Sequence, residues 1–176
     1  ELDVKLWAKS TPAVDAVRPA CCPACGSPGA PATGAITLVG HGIRERTVQG
    51  PLEPDGPAEC LTLELRRYRC RDCGAVVVSA PQGVLKGMLY GAMAVAIALS
   101  LWSAERIPGW QIRQRVSPGA RYANEYTKWH GWRSLSRWAT RAQQWWATLR
   151  PTGETALERA SSVVTQLAGH AAHASG

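Results

Sequence analysis

The chain of 176 residues contains no phenylalanine and few acidic residues, and it lacks the groupings from which active sites are usually built. Its thirteen Asp and Glu are scattered, no Ser/His/Asp or Cys/His set has a recognisable setting, and no glycine-rich phosphate loop follows a predicted strand. We therefore expect a protein that is not an enzyme. The sequence begins without a basic segment followed by an apolar one, so we expect a cytoplasmic location.

Acidic residues are scarcest between residues 101 and 150, where two Glu accompany nine Lys or Arg. This stretch therefore carries the whole net charge of +7, and it also contains seven of the eight tryptophans. A basic excess of this size favours a polyanionic partner, although charge by itself says nothing about the fold.

Long apolar runs are also scarce. The most apolar stretch, residues 87–104, only reaches the lower limit of about 17 residues for a membrane span. Half of it is Ala, Gly and Ser, which add little transfer free energy. We expect a buried helix here and no membrane partner, and a membrane-anchored protein is the weaker alternative.

The six cysteines include two Cys-x-x-Cys pairs, Cys22/Cys25 and Cys70/Cys73, each followed by glycine. Two such turns complete a tetrahedral sulfur set for zinc, and the glycine supplies the positive φ that the turn tends to need. Disulfides or two redox pairs are the alternatives. The paired spacing favours metal in a reducing compartment. A redox dithiol normally opens a helix, and no helical pattern follows either pair. The sequence thus predicts one closed, structural Zn²⁺ site.

Three other potential ligands have weaker claims. Cys21 adjoins the first pair and could replace Cys22. Cys60 opens a predicted strand and is expected to be a buried thiol. His41 is the only plausible nitrogen ligand between the pairs, and four sulfurs make it unnecessary.

The predicted elements around the pairs have the layout of a zinc ribbon over residues 21–82. Residues 1–20 are expected to form an extended arm with Trp7 docked. Short strands at 36–39 and 43–48, joined at glycines, precede a strand in which Leu61, Leu63 and Leu65 alternate with polar residues, and Val76–Val78 adds a fourth. The 44 residues between Cys25 and Cys70 exceed the roughly 15–20 of the compact pattern, which an inserted β-meander explains.

The remainder is expected to be a helical module over residues 83–150, followed by a C-terminal helix and tail over residues 151–176. Helices are predicted at 87–104, 110–116, 131–149 and 155–169, with a loop at 120–130. The third helix has an apolar stripe, which consists of Trp132, Leu135, Ala139, Ala142, Trp146 and Leu149.

A second stripe on that helix is basic. Arg133, Arg137 and Arg141 recur every four residues, and no Asp or Glu lies three or four positions from any of them. A solvated surface is the plain interpretation of such a stripe. Without acidic partners the arginines repel one another, and a phosphate backbone would relieve that repulsion.

The region from Cys22 to Gly74, with Val39–Val48 and Leu65–Arg69, resembles the N-terminal zinc ribbon of bacterial insertion-sequence transposases. In that family a helix-turn-helix module follows the ribbon, and the segment Ser134–Trp138 is similar to the start of its recognition helix. The resemblance implies binding of double-stranded DNA without the strand-transfer chemistry, because this chain ends before a catalytic domain.

We therefore predict an α+β protein, a zinc ribbon followed by a helix-turn-helix-like module, which binds DNA and is derived from, or accessory to, a mobile-element transposase. The predicted DNA contacts are Arg66, Arg67, Arg69, Arg133, Ser134, Ser136, Arg137 and Arg141. The alternative is a zinc-ribbon adaptor that docks onto a protein partner within a larger nucleoprotein complex.

Overall fold

A computed structural model describes residues 3–119 and 132–174, which form a mixed α+β structure. Within them lie the elements α1 Val4–Lys9, β1 Leu38–Gly50, β2 Glu59–Cys70, β3 Val76–Ser79, α2 Ala92–Ser103, α3 Gly109–Val116, α4 Ser134–Trp145 and α5 Ala156–Ala174. The chain divides into two compact units. The sheet unit comprises Glu1–Val48 and Leu61–Val84, and the helical unit comprises Gln49–Cys60 and Leu85–Gly176.

The three strands form an antiparallel sheet in the order β1-β2-β3. In β2, Leu63 and Leu65 are buried while Thr62 and Glu64 are exposed, as the predicted alternation requires. The β2–β3 register pairs Arg69 with Val76, so the second cysteine pair forms the turn of this hairpin.

The prediction of two short strands at 36–39 and 43–48 is wrong, because β1 runs without interruption from Leu38 to Gly50. Glycine keeps its backbone N–H and C=O, so the strand continues through Gly40 and Gly42. The positive φ of +85° at Gly42 lies in a region that glycine enters at little cost. At Gly40 a Cβ would lie 3.0 Å from Val14 Cγ1, so the missing side chain lets the chain before β1 approach the strand.

The expected extended arm is also corrected, because residues 4–9 form α1. The Asp3 side chain accepts a hydrogen bond from Lys5 N and caps the helix, while Val4 and Trp7, three residues apart, are buried. Trp7 is docked as predicted, and its Nε1 donates to Glu64 O at 2.9 Å.

Residues 11–14 then cross one face of β2. Three alternate side chains of the strand bond to them: Glu64 Oε2 accepts from the Thr11 hydroxyl, Arg66 Nε donates to Pro12 O, and Tyr68 OH donates to Val14 O. Alternate residues of a strand share a face, so β2 is covered on this face as well as on the face of Leu63 and Leu65.

In the helical unit α2 packs against α3, α4 and α5, and α4 packs against α5. The buried helix predicted at 87–104 is confirmed in part: α2 covers only Ala92–Ser103, and Ala94, Val95, Ala98 and Leu99 are fully buried in it. Leu89, before the helix, and Met93, within it, are exposed. No helix in the described ranges is both long enough and apolar enough to span a membrane. The predicted face of α3 is likewise confirmed, because Ile112 and Val116 are both fully buried.

The boundaries of the last two helices differ from the prediction. Helix α4 covers only Ser134–Trp145 of the predicted 131–149, since the Trp146 backbone leaves the helical region. Helix α5 continues to Ala174, past the predicted end at Gly169. The predicted loop at 120–130 lies outside the described residues.

Candidate metal centre and arginine face

The two Cys-x-x-Cys turns have the same backbone hydrogen bonds. In the first, Cys22 N donates to Ser27 O at 2.8 Å and Gly26 N donates to Cys22 O at 2.8 Å. The second repeats both bonds at the equivalent positions: Cys70 N donates to Ala75 O at 2.9 Å and Gly74 N to Cys70 O at 3.0 Å. The two turns are thus local copies of one structure.

The glycine that closes each turn has the predicted backbone conformation. Gly26 and Gly74 have φ values of +78° and +74°, and a Cβ at either position would meet no atom within 4 Å. Space is therefore available at both, and it is the positive φ that calls for glycine. This prediction from the sequence is confirmed.

The structure brings the sulfurs of Cys22, Cys25, Cys70 and Cys73 together, and all four lie within 4.8 Å of one another. Two contacts join the turns, Cys22 Sγ to Cys73 Sγ at 3.8 Å and Cys25 Sγ to Cys70 Sγ at 3.7 Å. These separations are far longer than a disulfide bond, so the cysteines are free thiols arranged around one point. Such a cluster could hold a metal ion.

The two turns meet because other parts of the sheet unit hold them. Arg71 N donates to Thr37 O at 3.0 Å, which ties the second turn to the start of β1. Gly29 N donates to Ala20 O at 2.7 Å, and a Cβ at Gly29 would lie 2.1 Å from Pro19 O. Only glycine permits this close approach of the two backbone segments, and no feature of the sequence distinguishes Gly29 from the neighbouring glycines.

The first cysteine of each pair is buried and the second is exposed. Cys22 and Cys70 form a small core with Leu38 and Tyr68, all of them at most 1% exposed. Two of the four thiols that could bind a metal are therefore part of the packing of the sheet unit, and a change in their chemistry would alter this core.

The pKa values of the two exposed thiols, Cys25 and Cys73, are shifted in opposite directions. Hydrogen bonding with the Ser27 side chain, whose Oγ lies 3.3 Å from Cys25 Sγ, and with the Ser27 backbone lowers the pKa of the Cys25 thiol to about 6. At Cys73 the backbone hydrogen bond from Ala75 lowers the pKa, but interaction with Cys25, desolvation, and interactions with Cys70 and Cys22 outweigh it and raise the pKa to about 12. Negative charge on one sulfur thus disfavours ionisation of its neighbour, and a bound cation would offset this repulsion.

The weaker candidates lie outside the cluster. Cys21 and His41 are exposed and neither belongs to the group of four thiols. Cys60 is exposed as well, so its prediction as a buried thiol is wrong. It is the second residue of β2, and its Sγ accepts a hydrogen bond from Gln49 Nε2 at 3.9 Å.

The basic stripe of the sequence lies on the outer surface of α4. Arg137 and Arg141 are exposed in the helix, and Arg133 is exposed at its N-cap. Ser136 is exposed beside them and Ser134 is half-buried. The opposite face of α4 consists of buried residues, namely Leu135, Trp138, Ala139 and Ala142.

No ion pair or hydrogen bond engages the guanidinium groups of Arg133, Arg137 and Arg141 within residues 3–119 and 132–174. The expected division of the helix into a packing stripe and a basic stripe is therefore present in the fold. The aromatic cluster that anchors it was not foreseen: Trp132, Trp138 and Tyr90 meet edge to face with centroids 4.8–5.7 Å apart.

The three arginines of β2 are not equivalent. Arg69 is exposed, Arg67 is half-buried on the same face, and Arg66 lies on the opposite face, where its Nε donates to Pro12 O at 2.7 Å. Alternation along the strand therefore places Arg66 on the other face from Arg67 and Arg69. There its hydrogen bond to Pro12 O holds the N-terminal segment against β2.

Comparisons with models of known families, with characterised proteins and with solved structures found no match to this chain.

Proposed function

We propose that this chain is a non-catalytic, zinc-dependent DNA-binding protein, a zinc ribbon with a helix-turn-helix-like module, derived from or accessory to a mobile-element transposase. The observation that carries the proposal is the row of exposed arginines on α4, which face away from the core and have no described acidic partner.

The sulfur geometry supports zinc as the metal. Four sulfurs at about 2.3 Å from a tetrahedral zinc ion lie about 3.8 Å from one another. The two contacts between the turns, 3.7 and 3.8 Å, match that edge. Thiolate ligands favour zinc among the abundant divalent cations, and four protein ligands leave no open position for a substrate. The role of the metal would be to fold the sheet unit.

The spacing of the arginines supports DNA as the partner. Arg133, Arg137 and Arg141 recur at one-turn intervals, so the row extends about 12 Å along the helix axis. That length matches several phosphates of a duplex strand, and guanidinium groups donate to phosphate oxygens or to guanine edges. Arg67 and Arg69 would add phosphate contacts, whereas Arg66 is engaged by Pro12.

The order of the elements supports the relationship with transposase DNA-binding regions. The described chain has a cysteine turn, β1, β2, a second cysteine turn and β3, as a ribbon requires, and α3 and α4 follow. In this proposal α4 is the recognition helix, because its exposed face carries the arginines together with Ser136.

The test is the salt dependence of binding by the Arg137→Ala/Arg141→Ala variant. Each phosphate contact releases about 0.9 counterion on binding, so the loss of two contacts should reduce the slope of log K against log salt by about 1.8 in magnitude. Arg113→Ala, an exposed arginine on α3, is the matched control and should leave the slope nearly unchanged. Fluorescence anisotropy with labelled duplexes at several salt concentrations measures both. A slope and affinity equal to those of the wild type would rule out this face.

A second candidate function, the protein adaptor, is favoured by exposed apolar side chains in the sheet unit. Ile43 of β1 and Val76 of β3 are 43% and 48% exposed, and both strands are edges of the sheet. This function predicts weak, sequence-independent DNA binding and a stable complex with a protein. Light scattering on gel-filtered material, followed by a mobility-shift assay at two salt concentrations, separates the two functions.

A further inference from the structure

The helical unit contains a cleft beside the arginine row. Its lining comes from the segment before α2 and from one face of α4, and the cleft has a volume of about 430 Å³. This volume lies within the range of small-molecule sites, about 300–1,000 Å³. The lining residues are Lys86, Gly87, Met88, Arg141, Gln144 and Trp145.

The lining combines two cations, an amide, an aromatic ring and a thioether, and it includes no acid. Lys86 and Arg141 are exposed, and no ion pair or hydrogen bond engages either charged group within the described residues. Cations beside an indole suit a nucleotide, since the phosphate needs positive charge and every base has a π-face for stacking.

The indole is held in place before any ligand arrives. Trp145 Nε1 donates to Lys86 O at 3.2 Å, so the ring is fixed to the segment that forms the other wall. Trp146 contacts it edge to face, with centroids 6.1 Å apart. Trp145 is nevertheless only half-buried, and an oriented ring with an accessible surface loses little entropy when a base stacks on it.

The cleft continues the surface that the proposed function assigns to DNA. Arg141, Gln144 and Trp145 are spaced i, i+3 and i+4 and so share one face of α4, while Arg137 lies one turn before Arg141. A strand whose phosphates follow Arg137 and Arg141 is thereby led to Trp145.

We propose that this cleft receives one unpaired nucleotide of the bound DNA, with its phosphate on Lys86 and Arg141 and its base stacked on Trp145. The Gln144 amide, which can donate and accept, faces the edge of that base. The inference rests on the proposed function and makes it more specific: the protein prefers a duplex with an unpaired end to a blunt one.

The experiment compares two labelled DNAs, a blunt duplex and the same duplex with a short single-stranded end. The wild type should bind the second roughly tenfold more tightly, because one stacked base contributes about that factor. Trp145→Ala should abolish the preference and Lys86→Gln should reduce it. Arg113→Gln, which removes an exposed charge from α3 of the same unit, should retain it.

Two measurements keep the outcome decisive. Since Trp145 also packs on the core, thermal melting checks that each variant is folded, and Lys86→Gln at an exposed position tests the site independently. A 2-aminopurine in the unpaired end should be quenched by the wild type and not by Trp145→Ala.

The inference is overturned if the wild type binds both DNAs with equal affinity, or if Lys86→Gln and Trp145→Ala keep the wild-type preference for the unpaired end. Either result would leave the proposed binding of duplex DNA intact. If neither DNA binds, the proposed function falls together with it.

Discussion

Removal of the metal ligands should unfold the sheet unit. Two of the four residues in its cysteine-turn core, Cys22 and Cys70, are candidate ligands, so the Cys70→Ser/Cys73→Ser variant loses both half of the metal site and part of the packing. Structural zinc contributes an apparent free energy of about 10–16 kcal/mol in small zinc peptides. A typical domain has a total stability of about 5–15 kcal/mol, so the variant should lack a stable sheet unit at room temperature.

Trp7 reports on this unit directly, because the other seven tryptophans belong to the helical unit. Its indole N–H is bonded to Glu64 O at 2.9 Å and should give a protected, dispersed NMR signal in the metal-bound protein, assigned with Trp7→Phe. Addition of a strong chelator, or the double substitution, should collapse that signal.

Metal analysis should find one zinc ion per chain in the wild type and none in the double variant. Cys21→Ser and Cys60→Ser are the matched controls, since both thiols are exposed and lie outside the cluster, and each should retain the metal and the Trp7 signal. A double variant that keeps the protected Trp7 signal without metal would refute the reasoning.

Three further results are expected. Gly26→Ala and Gly74→Ala should each destabilise the sheet unit by about 1–2 kcal/mol because φ is positive, while Gly169→Ala, at an exposed position of α5, should stabilise the helical unit by about 0.5–1 kcal/mol. Equal effects of the three substitutions in chemical denaturation would contradict this. Gly50→Ala should cost at least about 2 kcal/mol, because its φ is +113° and its Cβ would lie 2.3 Å from Ala94 Cβ; an unchanged melting temperature would disprove it. The backbone N–H groups of Thr155 and Glu154 lower the pKa of Glu158, so the stabilisation of α5 by this carboxylate should be present at neutral pH and lost as pH falls through the lowered pKa. A stability difference between the wild type and Glu158→Gln that does not shrink in acid would exclude this.

The cluster of four cysteines could be predicted from the sequence because each turn is specified locally. The bonds that shape a turn join residues four or five positions apart, so the motif Cys-x-x-Cys-Gly and the one residue after it contain every residue that these bonds and the positive φ require. The acidity of Cys25 depends on Ser27, two residues further on, and a serine following the motif was a signal that sequence reasoning missed.

The same reasoning failed where the outcome depended on distant partners. Glycines at 40 and 42 looked like a break, but pairing with β2 keeps β1 intact. Residues 1–20 had no clear period, yet Trp7 and Thr11 find partners on Glu64, 57 and 53 positions away. The start of α5, by contrast, could be predicted from neighbouring residues, because Thr155 and Glu158 exchange hydrogen bonds as a capping box.

The separation of the turns explains why zinc and sheet should form together. Cys25 and Cys70 are separated by 44 residues, and closure of a loop of that length costs about 3 kcal/mol in the length-dependent term alone. A single pair of thiols supplies only two of the four ligands of a structural zinc site, so the site needs both turns. The β1–β2 pairing and the bond from Arg71 N to Thr37 O bring the second turn to the first, and a metal bound by the four thiols would then stabilise that pairing. The structure of each turn can therefore be set by nearby residues, while assembly of the four-thiol site depends on folding of the whole sheet unit.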